Sequence, residues 1–205
     1  MKNILTLFLS ATLLLSCQQE KEHKQNTTVQ EAPAQENFFE GTSITMRGEE
    51  IHTAGVLPEV GTQAKEFSLA DKDMNDKTLA DFAGKNVILN IFPSVDTKVC
   101  SESVRTFNKE AADLENTVVL CISKDLPFAQ ERFCGAEGIE NVVMLSDFRS
   151  DFGEQYGVKI AEGAMEGLLS RAVVIVNPEG KVVYTEQVPE LSQEPDYSAA
   201  LASLE

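Results

Sequence analysis

Four cysteines carry most of the chemistry open to this 205-residue chain, and their settings differ. Cys100 closes the stretch Ile91-Phe92-Pro93-Ser94-Val95-Asp96-Thr97-Lys98-Val99-Cys100. Val87 to Phe92 is an apolar run with the length of a strand buried on both faces, and Pro93, with no N–H to give, stops its ladder. Ser94, Asp96 and Thr97 are helix-cap candidates ahead of Val104, Phe107, Ala111 and Leu114, which recur every three or four residues. Cys100 therefore lies at or near a helix N-terminus, where unpaired N–H groups and the positive end of the dipole favour negative charge on sulfur. That setting suits redox chemistry. Cys121 sits inside Thr117-Val118-Val119-Leu120-Cys121-Ile122-Ser123 and reads as a buried small hydrophobe. Cys17 ends an N-terminal apolar stretch. Cys100 and Cys134 remain, and a functional redox pair suits them better than a lone structural disulfide, which would be a sparse framework for a domain of this size.

Other chemistries lack their residues. The two histidines, His23 and His52, have no neighbours at metal-ligand spacing, which excludes a Cys-His hydrolase and a histidine metal site. No flavin, haem or metal motif is present, so no cofactor is implied. A formal charge of −16 with no basic patch argues against nucleic acid as a partner and makes a solubilising acidic surface. With 42% hydrophobic and 24% charged residues, the chain has the composition of one globular domain with a sizeable core, plus extras.

The elements that must position the cysteines follow in order. Ser43 to Arg47 and Glu50 to Ala54 flank Gly48-Glu49 as an N-terminal β-hairpin. From Phe67 strands and helices alternate: strand Val87–Phe92, helix from about Cys100 to Leu114, strand Val118–Ile122, helix from about Pro127 to Ala136, strand Val142–Leu145. Asp151 to Tyr156 makes a further short helix. Ala172–Val176 and Val182–Tyr184 form a hairpin about Pro178-Glu179-Gly180, and Pro195 or Asp196 opens a last helix ending near Leu204. Strand–helix–strand units require parallel strands and the closing hairpin adds an antiparallel pair. The expected fold is α/β and thioredoxin-like, a mixed central sheet flanked by helices, spanning residues 42–205.

Two segments precede it. Lys2 followed by Ile4 to Leu15 makes a charged region and an apolar region too short for an ordinary membrane span. It ends in Leu14-Leu15-Ser16-Cys17, which resembles the lipobox of bacterial lipoproteins. The resemblance implies a signal peptide over residues 1–17, lipidation of Cys17, and export to a membrane-anchored position. Gln18 after the cysteine, rather than Asp, points to the outer membrane facing the periplasm. Residues 18–41, rich in Gln, Glu, Lys and Asn, read as a flexible tether.

The spacing Pro93-x-x-x-Thr97-x-x-Cys100 resembles the peroxidatic signature of peroxiredoxins. Asn90-Ile91-Phe92-Pro93-Ser94, Ser103-Val104-Arg105, Asp125-Leu126-Pro127-Phe128-Ala129-Gln130, Arg132-Phe133-Cys134-Gly135-Ala136-Glu137-Gly138 and Ser170-Arg171-Ala172-Val173-Val174 narrow the likeness. They are similar to the bacterial thiol peroxidases, an atypical two-cysteine branch, over roughly Thr42 to Leu204. The N-terminal lipoprotein signal and tether depart from the soluble members. The resemblance implies a thiol-dependent peroxidase that reduces hydrogen peroxide and organic hydroperoxides. Cys100 would be the peroxidatic nucleophile and Cys134 the resolving cysteine, with Cys121 the alternative. It also implies an intramolecular disulfide reduced by a thioredoxin-like donor, and a homodimer formed through the active-site face. Thr97 would aim its hydroxyl at sulfur and substrate, Arg171 would bring a fixed positive charge, and Pro93 would wall the thiolate off from water. Arg105 is open between a place near the site and a structural ion pair.

Physical chemistry says which of these factors matters. An ordinary thiol, with a pKa of about 8.5, is a few per cent ionised at pH 7, so full ionisation gains at most roughly thirtyfold. Lowering the pKa also weakens the nucleophile, with a Brønsted slope of about 0.4–0.5. Donors aimed at the charge that develops on the peroxide oxygens must supply most of the acceleration. Two other readings fit the residues less well. A thiol–disulfide oxidoreductase on the same fold lacks its Cys-x-x-Cys, since Thr97 takes that place. A non-catalytic binding lipoprotein would have no use for the intact Pro93, Thr97, Cys100 and Arg171 set. Cys134 falls seven residues after Pro127, about two turns or roughly 10 Å along its helix. A disulfide needs Cα atoms within about 7 Å. With both helices intact the two sulfurs are expected to be out of bonding range.

Overall fold

A computed structural model of the protein describes residues 41–204. Residues 1–40, which include the expected signal peptide with Cys17, His23 and all but the last residue of the expected tether, lie outside the described residues.

The chain begins with a two-stranded hairpin, β1 (Ser43–Met46) and β2 (Glu49–His52). Its turn is Arg47-Gly48, both at positive φ (54° and 84°), one residue earlier than the sequence suggested. Positive φ at both central residues gives the twist that right-handed strands need. Then come β3 (Ser68–Ala70), β4 (Asp76–Thr78) and a 3-10 turn, Leu79–Phe82. The sequence did not announce β3 and β4, because strands of three residues are too short to establish an alternation. The central units follow: β5 (Asn86–Ile91), α1 (Lys98–Ala111), β6 (Thr117–Ser123), α2 (Pro127–Glu137) and β7 (Val143–Ser146). The chain closes with α3 (Phe152–Gln155), β8 (Ala172–Val176), β9 (Val182–Gln187) and α4 (Tyr197–Ala202).

Seven strands form one mixed sheet in the order β4-β3-β7-β6-β5-β8-β9. β5, β6 and β7 run parallel, while β8 pairs antiparallel with both β5 and β9. The fold is thioredoxin-like α/β, as the order of elements indicated. The β5-α1-β6-α2-β7 run requires its helices to cross over the sheet, which brings both helix starts to the edge where β5 and β6 end.

Side chains in each central strand alternate between two cores, as the strand period requires. Val87, Leu89, Ile91, Leu120, Ile122, Ala172 and Val174 face a core completed by Phe67, Phe152 and Tyr156. Ile88, Val119, Cys121, Val173 and Ile175 face the other, filled by Cys100, Val104 and Phe107 of α1 and by Ala200 of α4. Burying one such large side chain stabilises the fold by roughly 1.5–3 kcal/mol. The apolar stripe of α1 therefore fixes its helix against the sheet and, with it, the position of Cys100.

Candidate active site

β5 gives out at Phe92, whose N–H still reaches the Ile122 carbonyl at 3.1 Å. Pro93 is buried and cannot continue the ladder. Thr97 then takes an extended conformation (φ −99°, ψ 143°) as the N-cap of α1, so Lys98, Val99 and Cys100 occupy the first helical turn. Their N–H groups have no acceptor within the helix. An N-cap threonine ordinarily turns its hydroxyl back on these groups, but Thr97 makes no such bond. Its Oγ1 lies 2.8 Å from Cys100 Sγ and 3.2 Å from the Ser94 carbonyl. The two contacts accommodate both protonation states. A thiol donates to Oγ1 while the hydroxyl donates to Ser94, and a thiolate draws the hydroxyl proton to itself.

Arg171, immediately before β8, approaches the sulfur from the other side. It is 2% exposed, and its Nη2 lies 3.3 Å from Cys100 Sγ. Nε and Nη2 both donate to the Leu191 carbonyl, at 3.1 and 2.9 Å. Nη1 is buried and has no hydrogen-bond partner among the described residues. Among the described residues no carboxylate pairs with this guanidinium. A buried positive charge is costly unless something opposes it, and an anionic Cys100 is the group placed to do so. Above lies a pocket of ≈ 170 Å³ lined by Met46, Arg47, Pro93, Thr97, Met165 and Arg171, among others. Cys100 has no exposed surface, and its sulfur contacts two of the lining residues, Thr97 and Arg171. Thr97 and Cys100, from the stretch that begins at Pro93, thus meet Arg171 from 71 residues further along the chain.

Cys134 stands apart from this cluster. It lies in the last turns of α2, half-buried, with its thiol free, as are those of Cys100 and Cys121. Burial, and then the nearby Glu131 charge, raise its pKa above the ordinary thiol value. It borders an apolar cleft of ≈ 340 Å³ with Ile139, Val142 and Met144. Cys121 is fully buried in β6 beside Asn90, and its thiol is pushed up to about 12 by desolvation. The reading of Cys121 as a packed hydrophobe is correct. Arg105 takes the structural alternative, since it pairs with Glu137 at 2.9 Å and Glu102 at 3.1 Å and so ties α1 to α2.

Two contributors escaped the sequence. The Leu191 carbonyl that orients Arg171 is a backbone group and carries no sequence mark. Asp125 holds the loop before α1, accepting from Ser94 Oγ and the Val95 N–H at 2.8 Å each. Its mark was available, an aspartate between a strand and the Pro127 that opens α2.

Comparison with known proteins converges on one family. The Redoxin family profile matches residues 59–201. A thiol peroxidase of Mycobacterium tuberculosis (strain ATCC 25618 / H37Rv) is 58% identical over 161 residues, covering 78% of this chain and 97% of that protein. One from Corynebacterium glutamicum is 56% identical over 158 residues, 77% of this chain and 96% of that protein. Among solved structures, a peroxiredoxin-like protein from Aquifex aeolicus superposes with a TM-score of 0.76 at 38% identity, over 79% of this chain and 95% of that one. A thiol peroxidase from Chromobacterium violaceum gives 0.73 at 23% identity, over 78% and 94%, a likeness of fold.

Proposed function

The chain belongs to the Redoxin family and is a thiol-dependent peroxidase, and on that premise we propose that Cys100 is its attacking sulfur and Cys134 its resolving one. The observation that carries this assignment is the convergence of Thr97 Oγ1 and Arg171 Nη2 on a fully buried Cys100 Sγ, with Arg171 Nη1 left unpartnered beside the pocket. The thiolate attacks one peroxide oxygen and the O–O bond breaks. The other oxygen leaves with its electron pair and takes up a proton. Thr97 and Arg171 hold donors toward the charge as it spreads from sulfur to the leaving oxygen, which is where such donors act most strongly. Pro93 covers the sulfur and limits its access to water.

The product at Cys100 is a sulfenic acid. Condensation with the Cys134 thiol forms the S–S bond and releases water. A dithiol protein of thioredoxin type then supplies two electrons and two protons to restore both thiols. Both cysteine-bearing helices are regular and both thiols free; in this reading disulfide formation unwinds one or both segments. Hydrogen peroxide and organic hydroperoxides are the substrates of this reading. A homodimer is supported by Leu126 and Phe128, which stand 50% and 60% exposed at the start of α2. Attachment to the outer membrane through a lipid on Cys17 is supported by Leu14-Leu15-Ser16-Cys17 and the polar tether after it.

Peroxide consumption with a dithiol donor tests the assignment. Cys100→Ser is expected to abolish turnover, and Cys134→Ser to react once and stop at a sulfenic acid. Sustained turnover of Cys134→Ser would move the resolving role to Cys121. Labelling with a radioactive fatty acid tests the anchor: label retained by Cys17→Ala would refute it.

A further inference from the structure

Asp125 lies in the loop between β6 and α2, yet its carboxylate reaches across to the loop before α1. Oδ1 accepts from Ser94 Oγ at 2.8 Å. Oδ2 accepts from the Val95 N–H and from Ser123 Oγ, again at 2.8 Å each. The proton directions are consistent throughout. Ser94 Oγ, having donated to Asp125, accepts from the Asp96 N–H at 3.2 Å. Ser123 Oγ, having donated to Asp125, accepts from Gln130 Nε2 at 3.0 Å. Gln130 is 1% exposed and sits one helical turn before Cys134 in α2, where Nε2 also donates to the Leu145 carbonyl at 3.0 Å. On the other side, the Ser94 carbonyl accepts from both the N–H and the hydroxyl of Thr97, at 3.2 Å each. One unbroken set of hydrogen bonds thus runs from the helix of Cys134, through Ser123, Asp125 and Ser94, to the threonine that contacts Cys100 Sγ.

We propose that Asp125 is a positioning residue that holds Thr97 against the Cys100 sulfur and, by the same bonds, clasps the Cys100 segment to the Cys134 helix. It rests on the assignment of Cys100 and Cys134 above. Two consequences of opposite sign follow. Peroxide attack needs the loop of residues 93–97 in place, so the clasp speeds it. Disulfide formation needs the segments to part, so the clasp slows it. A carboxylate suits this task because all three of its partners are donors, and bonds to a charged acceptor are about twice as strong as neutral ones. An asparagine fits partly. With its oxygen toward Val95 and Ser123, its amide can donate to a Ser94 hydroxyl turned round to accept.

The test uses the full chain, reduced, mixed with hydrogen peroxide, quenched at intervals with an alkylating reagent and read by mass spectrometry. Each sample yields two rates, sulfenic acid formation at Cys100 and its conversion to the disulfide. In Asp125→Ala the first is expected to fall about tenfold, within the range that a misplaced catalytic group costs, while the second rises. Asp125→Asn should recover part of the attack rate, and Ser94→Ala should shift both rates in the same directions as Asp125→Ala. Tyr156→Phe removes a buried hydroxyl bond to the Lys65 carbonyl in the opposite core and reports what destabilisation alone does. Attack within twofold of wild type in Asp125→Ala overturns the proposal, as does a fall of both rates together. Should Asp125→Ala fail to fold, the same limits apply to Ser94→Ala. Oxidation of a Cys100→Ser control at the wild-type rate would instead refute the assignment of the attacking sulfur.

Discussion

Cys100 and Cys134 lie on consecutive helices of the same sheet face, and the two helices are built differently. α1 buries Cys100, Ser101, Ser103, Val104 and Phe107, a stripe repeating at helical spacing. α2 buries only Pro127 and Gln130. Phe107 also packs edge-on against Tyr197, with ring centroids 5.1 Å apart, adding aromatic contact to the hold on α1. The Cys100 sulfur has two side-chain donors within 3.3 Å. The Cys134 thiol has an apolar cleft beside it and a nearby carboxylate that disfavours its charge. One sulfur sits in a finished site. The other sits in a lightly held helix, where burial disfavours its charged form. The difference teaches where rigidity is useful in such a cycle: at the step that must stabilise developing charge, and not at the step that would join the two sulfurs.

The largest break in that contrast should come from removing a donor at the finished site. Arg171→Ala is expected to slow sulfenic acid formation about 10²–10³-fold, the usual cost of losing one preorganised donor to a developing oxyanion. Rates measured across pH decide what the arginine does. Recovery of the wild-type rate once the variant thiol is fully ionised would show that it acts only on ionisation, whose ceiling is roughly thirtyfold. A deficit that persists at high pH assigns it to the transition state.

Both helices were legible before the structure, though the contrast between them was not. The stripe Val104, Phe107, Ala111 and Leu114 declared α1, which begins two residues earlier than expected and stops at Ala111 short of Leu114, and Pro127 marked the start of α2. Pro93, Thr97, Cys100 and Arg171 were named from their spacing and family words; Thr97 and Arg171 meet at the Cys100 sulfur, and Pro93 lines the same pocket as those two. What stayed hidden has a common physical cause. The strands β3 and β4 are three residues each and owe their pairing to neighbours distant in sequence. The Leu191 carbonyl and the Val95 N–H act through backbone, which every residue possesses. Thr97 could be read as a cap or as a donor to sulfur, and only coordinates separate the two. Arg105 was undecided because a helix places an arginine on a face without saying which carboxylate lies opposite.

A second effect concerns motion. If α2 is the lighter attachment, its amides should exchange with solvent faster than those of α1 in the reduced protein, since few buried apolar contacts hold them. Hydrogen exchange resolved by peptide measures this directly. Equal protection across 98–111 and 127–137 would remove the asymmetry. Arg105, bridging the helices to Glu137 at the surface, should matter little here, because its charges are solvent-screened.

The smallest effect should lie on the far side of the finished site, where Glu190 ties the β1–β2 hairpin to the loop that orients Arg171. Its carboxylate accepts from Ser192 Oγ at 2.7 Å, the Ser192 N–H at 3.0 Å, Thr45 Oγ1 at 2.8 Å, and the N–H groups of Arg47 and Gly48 at 3.1 and 3.2 Å. The Ser192 hydroxyl first, and the backbone donors with it, pull the Glu190 carboxyl down to about 2, against about 4.3 for a free glutamate. A carboxyl whose folded value is lowered stabilises the fold above its unfolded value and loses that contribution as pH falls toward the folded one. The stabilisation from Glu190 should therefore be whole above pH ~4.3 and fade toward pH ~2. Because the group is solvent-exposed, the expected loss in Glu190→Gln is small, about 2 °C in Tm at neutral pH. That gap should close on acidification, since the wild-type carboxyl becomes neutral like the amide. A gap that stays constant from pH 7 to about 2.5 would mean that the charge is not its source. Peroxide attack should slow only a few-fold in the variant, because Arg171 keeps both its bonds to the Leu191 carbonyl and loses only the tether behind it. An attack rate as low as that of Arg171→Ala would place Glu190 inside the site's chemistry, and the finished site would then extend to the hairpin itself.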